Sequence, residues 1–399
     1  MTYLPANLAE AIDQTETVSM VNHRYSIVNP RVAMGERMPT FMQPFLTWLT
    51  ARPLAHEPIL DRSTMFFVVT ALAQTIGGVL LSAAALHVAL LPAIALLALG
   101  LTLTSAGLGL FQVVVFHHCS HGTVFKAREL NIVVGKLISA ILLFKHFDKY
   151  KAEHMLHHNH KKLLTEEDEF ADFVFGMCGL EPSLPKRDLW RRVIVNLVSP
   201  EFHFRFLRRR LRAAWLSHDR SHNMIGIGAW AAFTALAAIT GTLPEFLVGW
   251  VLPVTVLLQV ATVFRILCEH RFPDPEIILT RGKDFVSHAT AGVFPGSAPP
   301  DARATSLAGL ARWTLWWADM LTVQLFVRMF VLVGDAPCHD YHHRRPASRR
   351  WTSYIQARQV DMDSGSSGVH GQYQETWGLF QAVDENLASL SRTPRGIVG

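Results

Sequence analysis

The sequence predicts an all-α integral membrane protein with four transmembrane helices arranged as two hairpins. Half of its 399 residues are hydrophobic and only 17% are charged, and the mean hydropathy is positive, +0.22. That is more apolar than a water-soluble enzyme of this length needs to be. The apolar residues are also gathered into charge-free runs long enough to cross a hydrocarbon layer of about 30 Å as helices. The basic residues fall between these runs rather than within the tight turns that join them.

In chain order, residues 1–60 are mixed in character, and Pro5, Pro30, Pro39, Pro44 and Pro53 limit long helices there. The start, MTYLPANLAEAIDQTETVSM, has neither a basic n-region nor an apolar core, so no secretory signal is expected. Residues 66–86 and about 88–116 carry no charged side chain, and only a short turn near His87 can separate them. This is the first expected hairpin. The run LNIVVGKLISAILLF (130–144) is interrupted by Lys136 and short for a span, so it reads as a helix at the interface or against the bundle. A second pair, about 225–243 and 246–264, is broken by Pro244 and Glu245.

Residues 306–333 read as one or two further helices at the membrane surface, with Trp313, Trp316 and Trp317 suited to the headgroup level. DMDSGSSG (361–368) reads as a flexible linker. Beyond it Trp377, Phe380, Val383, Leu387 and Leu390 recur at the spacing of one helical face. The resulting division is an N-terminal segment (1–60), a membrane and cap unit (61–350) and a C-terminal tail with a linker and an amphipathic helix (351–399).

The segment 126–224 contains eighteen Lys and Arg. The positive-inside rule places it in the cytoplasm, which puts both termini on that side as well. The pI near 9.1 needs no nucleic acid, because basic residues beside spans meet anionic headgroups. Cys119, Cys178, Cys268 and Cys338 form no CxxC pair, so reduced thiols are expected rather than disulfides, rubredoxin-type centres or zinc ribbons.

The histidines carry the chemistry. Twenty are present, and three clusters stand out: HHCSH (117–121), HMLHHNH (154–160) and HDYHH (339–343). Helical spacing of three or four residues turns side chains to one face, so His117 with His121, and His154 with His157 and His158, can each converge on one point. Four crossings return all three clusters to one side of the membrane. With His339, His342 and His343 the clusters offer eight imidazoles, and CEH at the end of the fourth span adds His270. One metal ion takes about four to six ligands, so eight or nine imply two ions, and such ligation suits iron that activates dioxygen.

The boxes HxxxH (117–121), HxxHH (154–158) and HxxHH (339–343), set between hydrophobic hairpins over roughly residues 60–350, resemble those of the membrane fatty acid desaturase family. The resemblance implies a four-span bundle with a cytoplasmic helical cap holding two iron ions, with O2 as co-substrate. It implies oxidation of an unactivated acyl chain, carried on a lipid, coenzyme A or acyl carrier protein, and electrons from a separate donor such as a ferredoxin or cytochrome b5 type protein. The implied ligands are the eight box histidines, with His270 as an extrapolation. Desaturation is the expected outcome; hydroxylation, acetylenic bond formation and oxidative decarboxylation use the same kind of site.

One departure is His118, where the first box commonly has Asp. The acidic run Glu166, Glu167, Asp168, Glu169 is a candidate source of the missing outer carboxylate. No HPGG-type haem segment is present, and the basic residues at 205–212 and 344–350 are candidate docking surface for an acidic donor. A metal transporter or a membrane zinc hydrolase is the remaining alternative, and neither accounts for all three clusters as economically.

Overall fold

The computed structural model describes residues 29–55, 57–301 and 305–396. The expectations for the first 28 residues therefore lie outside the described residues. Among the described residues, four helices are long and apolar enough to cross a membrane: Thr64–Ala85, Leu90–Ser120, Arg220–Ile239 and Leu243–Glu269.

The first span is capped by Ser63, whose hydroxyl accepts from the Phe66 amide, a local bond that satisfies one of the otherwise orphaned donors of a helix start. A turn over residues 86–89 leads into the second span. The two helices pack very closely because small residues face each other. A Cβ built on Gly78 would lie 2.3 Å from the Thr104 amide nitrogen, and one on Gly107 would lie 2.6 Å from the Ala71 carbonyl oxygen. Small residues of this kind allow backbones to approach where lipid removes the hydrophobic driving force. Val69, Leu72, Ile76, Leu80, Leu90 and Leu91 face outward and are exposed, as expected of a lipid-facing surface.

The second and fourth spans are not uniform. Leu110–Phe116 is π-helical, as are Leu247–Val251 and Pro253–Leu257. Pro253 lacks an amide hydrogen, which accounts for loosened pairing in the fourth span. Widened turns in α-helices are frequent at functional sites, and the one in the second span ends immediately before His117.

The 130–144 run forms the helix Arg128–Ile141, with Leu130, Val133 and Leu137 exposed. The 306–333 region forms Leu307–Asp319, a π-helical turn and Leu325–Phe330, with Trp316 turned inward. The stretch 361–368, expected to be a flexible linker, is tied down instead. Asp361 accepts from Arg345, the Ser366 hydroxyl and the Tyr373 hydroxyl.

The last helix runs Leu379–Arg392 and buries Leu379, Val383, Leu387 and Leu390. The expected face is thus displaced at its start: Phe380 points outward, and Trp377 belongs to a strand. Gly378, with φ +90°, makes the break, a conformation open to glycine. That strand, β2 (Glu375–Trp377), pairs in parallel with β1 (Gly292–Phe294), so residues 351–396 are woven into the same body as the spans.

Candidate metal centre

Each histidine cluster is delivered by a different local structure. The second span runs through its π-helical turn into the short α-turn His117–Ser120. The second box sits on the helix Phe147–His157, and the third forms the single helix His339–Arg344. His270 caps the fourth span in an extended conformation and is held by an antiparallel bridge to Thr290.

The structure brings the eight box histidines and the extrapolated His270 into one place. His117, His121, His154 and His342 form one group and His157, His270, His339 and His343 a second, with candidate ligand nitrogens within 4.8 Å of one another in each. His158 lies between the groups: its Nε2 is 3.0 Å from Nε2 of both His154 and His342, and its ring is 4.5 Å from that of His343.

The spacing within the groups is informative. Nε2 atoms are 2.7 Å apart for His117 and His342, 3.0 Å for His154 and His121, 3.0 Å for His270 and His343 and 3.1 Å for His343 and His339. Ligands bound to one ion by metal–nitrogen bonds of about 2.1 Å stand roughly 3.0–3.4 Å from one another.

Electrostatics point the same way. Burial, and after it the proximity of the other imidazoles, holds His154, His158, His270, His339, His342 and His343 well below the ordinary histidine range. For His121, burial followed by His118 and Lys151 lowers it to about 3. These rings are neutral at physiological pH, the form that binds metals. His157 is the exception. Burial opposes its charge, but Asp168 outweighs burial and raises its pKa overall. Asp168 is fully buried and faces His157 Nδ1 at 2.8 Å, and it also accepts from the Leu164 and Phe170 amides.

A cavity of about 220 Å³ reaches the centre. Its walls include Val113, Phe116, Phe144, Phe170, Phe206 and Leu258, and His117, His154, His157, His270 and His339 also line it.

The family model described as fatty acid desaturase matches residues 90–360, a stretch that holds both histidine groups. The chain belongs to the fatty acid desaturase family. No curated protein matches it.

As a desaturase-family chain it therefore has an oxidoreductase fold, and the outer contacts of its histidines become meaningful. Ligating imidazoles usually need such contacts to fix ring orientation. The acidic run after the second box supplies one, Asp168, but to His157 rather than to the first box. His118 has its own acid: its Nε2 is 2.7 Å from Asp335 Oδ2, and its ring stacks on Trp351 at 4.3 Å. His117 Nδ1 lies 3.2 Å from the Tyr150 hydroxyl.

Asp335, Trp351, Tyr150 and the Asp340–Arg358 pair were not singled out by sequence reasoning. Only Asp340 carried a local signal, since it lies inside the third box. Of the basic residues offered as docking surface, Arg210 is turned inward to the Leu142, Leu143 and Val254 carbonyls. Arg344 is buried against Ser287, Ser366 and the Gly371 carbonyl. Arg208, Arg212, Arg349 and Arg350 remain exposed.

The four cysteines are free and buried. His146 and His222 are buried with both ring nitrogens unpartnered among the described residues. They stand apart from the centre with Asp219 and Lys136 nearby.

Proposed function

We propose that this chain is an O2-dependent oxidoreductase acting on an unactivated aliphatic chain, with fatty acyl desaturation as its reaction. A separate protein of the ferredoxin or cytochrome b5 type supplies the electrons. The observation that carries this reading is the convergence of nine histidines, seven of them buried and His121 and His158 half-buried, in two four-membered groups and one residue between them, beside a largely apolar cavity.

The donor set fits two ions. Each group offers four imidazole nitrogens, and an ion entering the second group would displace the proton that Asp168 favours on His157. His117, His121, His154 and His342 would hold one iron and His157, His270, His339 and His343 the other, with His158 placed to serve either. Two irons bound there supply the activation of dioxygen that removal of hydrogen from an unactivated chain requires.

The protein's own contribution is positioning. Asp168 fixes the tautomer and ring plane of His157, the His270–Thr290 bridge fixes the end of the fourth span, and the phenylalanine-lined walls exclude water and hold the chain against the histidines. The basic residues of 126–224 support a cytoplasmic side for the centre and both termini. Residues 61–350 form the membrane and cap unit on this reading, and residues 351–396 pack onto it. The centre lies at the ends of the spans rather than near their middle, which speaks against transport of a metal across the bilayer.

The test is metal analysis of the detergent-purified protein beside a His157→Ala, His158→Ala variant, with mass spectrometry of acyl chains from cells making each. The expected result is about two irons per chain, lost in the variant together with a product lighter than its precursor by two hydrogens. A product heavier by one oxygen would replace desaturation with hydroxylation. Zinc in place of iron, or iron unaffected by the variant, would overturn the reading.

A further inference from the structure

The cavity beside the histidines is not lined as a plain hydrocarbon chain requires. On the fourth span Gln259, Thr262, Arg265 and Glu269 all face it, a polar stripe at helical spacing along an otherwise apolar helix. Polar side chains inside a span are costly and mark functional surfaces.

Most of the charges are already answered. Arg265 is paired with Glu269 at 3.0 Å, Lys145 with Glu153 and Glu169 and Arg209 with Asp172. What remains is a set of buried polar atoms that line the same cavity without a hydrogen-bond partner: Gln112 Oε1, the free end of the Gln259 amide and Glu269 Oε1. Gln259 is 1% exposed and Glu269 3%. Leaving such atoms unpaired carries a real penalty.

The chemistry of the ligand follows from Gln259. His203 Nε2 lies 2.9 Å from the Leu197 carbonyl, which requires a hydrogen on that nitrogen. A neutral His203 must then accept at Nδ1, which is 2.9 Å from the Gln259 amide. The amide therefore turns its NH2 to His203, and its carbonyl oxygen is the atom left facing the cavity; oxygen and nitrogen of an amide are assigned by their partners. Together with Glu269 Oε1 this gives the fourth span two acceptors on the cavity wall, and Arg210, the cation there without an acid partner, is taken up by the Leu142, Leu143 and Val254 carbonyls, so the free acceptor of Gln259 calls for a hydrogen-bond donor.

We propose that the aliphatic substrate of this chain carries a hydroxyl group, its hydrogen accepted by the Gln259 carbonyl oxygen, and that this anchor sets which carbon rests against the histidines. Gln259 stands ten residues from Glu269, so roughly 15 Å along the helix from the metal end. The inference rests on the oxidase reading above and narrows its substrate class.

The experiment is equilibrium dialysis of labelled 1-hexanol, hexane and hexanoate against the iron-loaded protein in nanodiscs, with empty nanodiscs subtracted. These six-carbon probes are small enough to enter a cavity of about 220 Å³. Hexanol should be held about tenfold more tightly than hexane or hexanoate, the effect of one well-made buried hydrogen bond. In Gln259→Leu the preference should fall to within about twofold. Equal binding of hexanol and hexane by the wild type, or an undiminished preference in Gln259→Leu, overturns the proposal. Should the leucine variant not fold, the wild-type series decides alone. Iron content of the same samples reports separately on the oxidase reading: iron present with no hexanol preference sinks only the hydroxyl anchor, and a preference without iron sinks only the metal centre.

Discussion

Arg358 grips Asp340 through three hydrogen bonds, Nε to Oδ1 at 2.9 Å and to Oδ2 at 3.1 Å and Nη2 to Oδ2 at 2.7 Å, and both side chains are almost wholly buried. Asp340 lies between His339 and His342, so this pair anchors the third histidine box. The Arg358 guanidinium also reaches Glu375 on β2 at 2.8 Å and lies over the Phe294 ring at 5.0 Å, coupling the box to the two-stranded sheet. Removing one partner of a buried pair leaves an uncompensated charge and costs about 3–5 kcal/mol, whereas replacing both by packed neutral groups is often close to neutral. Arg358→Ala should therefore lower the melting temperature strongly, and Arg358→Met with Asp340→Asn should recover much of the loss. A single variant that melts like the wild type would refute this account of the box.

On the proposed two-iron reading, the contact between Asp168 and His157 makes a different prediction, one about metal affinity rather than folding. Loss of an outer partner of a ligating histidine typically weakens metal binding about 10–100-fold. Asp168→Asn should lose iron during dialysis against a graded chelator series in that proportion, while Glu167→Gln, an exposed neighbour, should hold iron as the wild type does. Equal retention by Asp168→Asn and the wild type would remove Asp168 from the centre.

These two carboxylates mark the limit of what the sequence made legible. The spans were readable because twenty apolar residues without a charge have few other uses, and the histidine boxes because i, i+4 spacing is a local geometric statement. Asp340 was visible inside its box, but its partner Arg358 is joined to it only by the fold, across an intervening turn and helix. The same holds for Asp335, whose contact with His118 spans 217 positions of chain. Phe380 was misread because a helical face can be inferred only once the first helical residue is known, and Gly378 moves that start. The ordered turn at 361–368 was misread as a linker because its composition is that of a flexible segment, while its order comes from Asp361 bonding to residues distant in sequence.

The packing of the first two spans yields a paired test. Gly77 and Gly78 are neighbours, yet a Cβ at Gly77 meets nothing within 4 Å, whereas one at Gly78 would meet backbone of the second span at 2.3 Å. Gly77→Ala should be neutral or stabilising by about 0.5–1 kcal/mol through reduced backbone freedom of the unfolded chain. Gly78→Ala should cost about 1–3 kcal/mol through overpacking. Thermal unfolding of the two variants in the same detergent checks the difference. Similar melting of both would mean that the two spans do not approach as closely as their small residues imply.

His118 and Asp335 offer the sharpest test of how this chain departs from its family's usual first box. The family commonly places an acid at the position of His118, and here the acid stands at 335 instead, 2.7 Å from the ring, with its other oxygen buried and unpartnered among the described residues. The pair is thus a reversed version of an acid-and-partner contact beside His117, which belongs to the first histidine group. His118→Asp alone would set two carboxylates against each other in a buried site. It should cost about 3–5 kcal/mol, as removal of a buried partner does, and release the iron held by the first group. Adding Asp335→His restores one acid and one imidazole in exchanged order, and iron per chain and melting temperature should return most of the way. Because the Trp351 stack on position 118 is lost in both variants, recovery in the double variant isolates the polar contact as the cause. Failure of the double variant to regain iron, with folding intact, would show that the stack rather than the acid positions the first box.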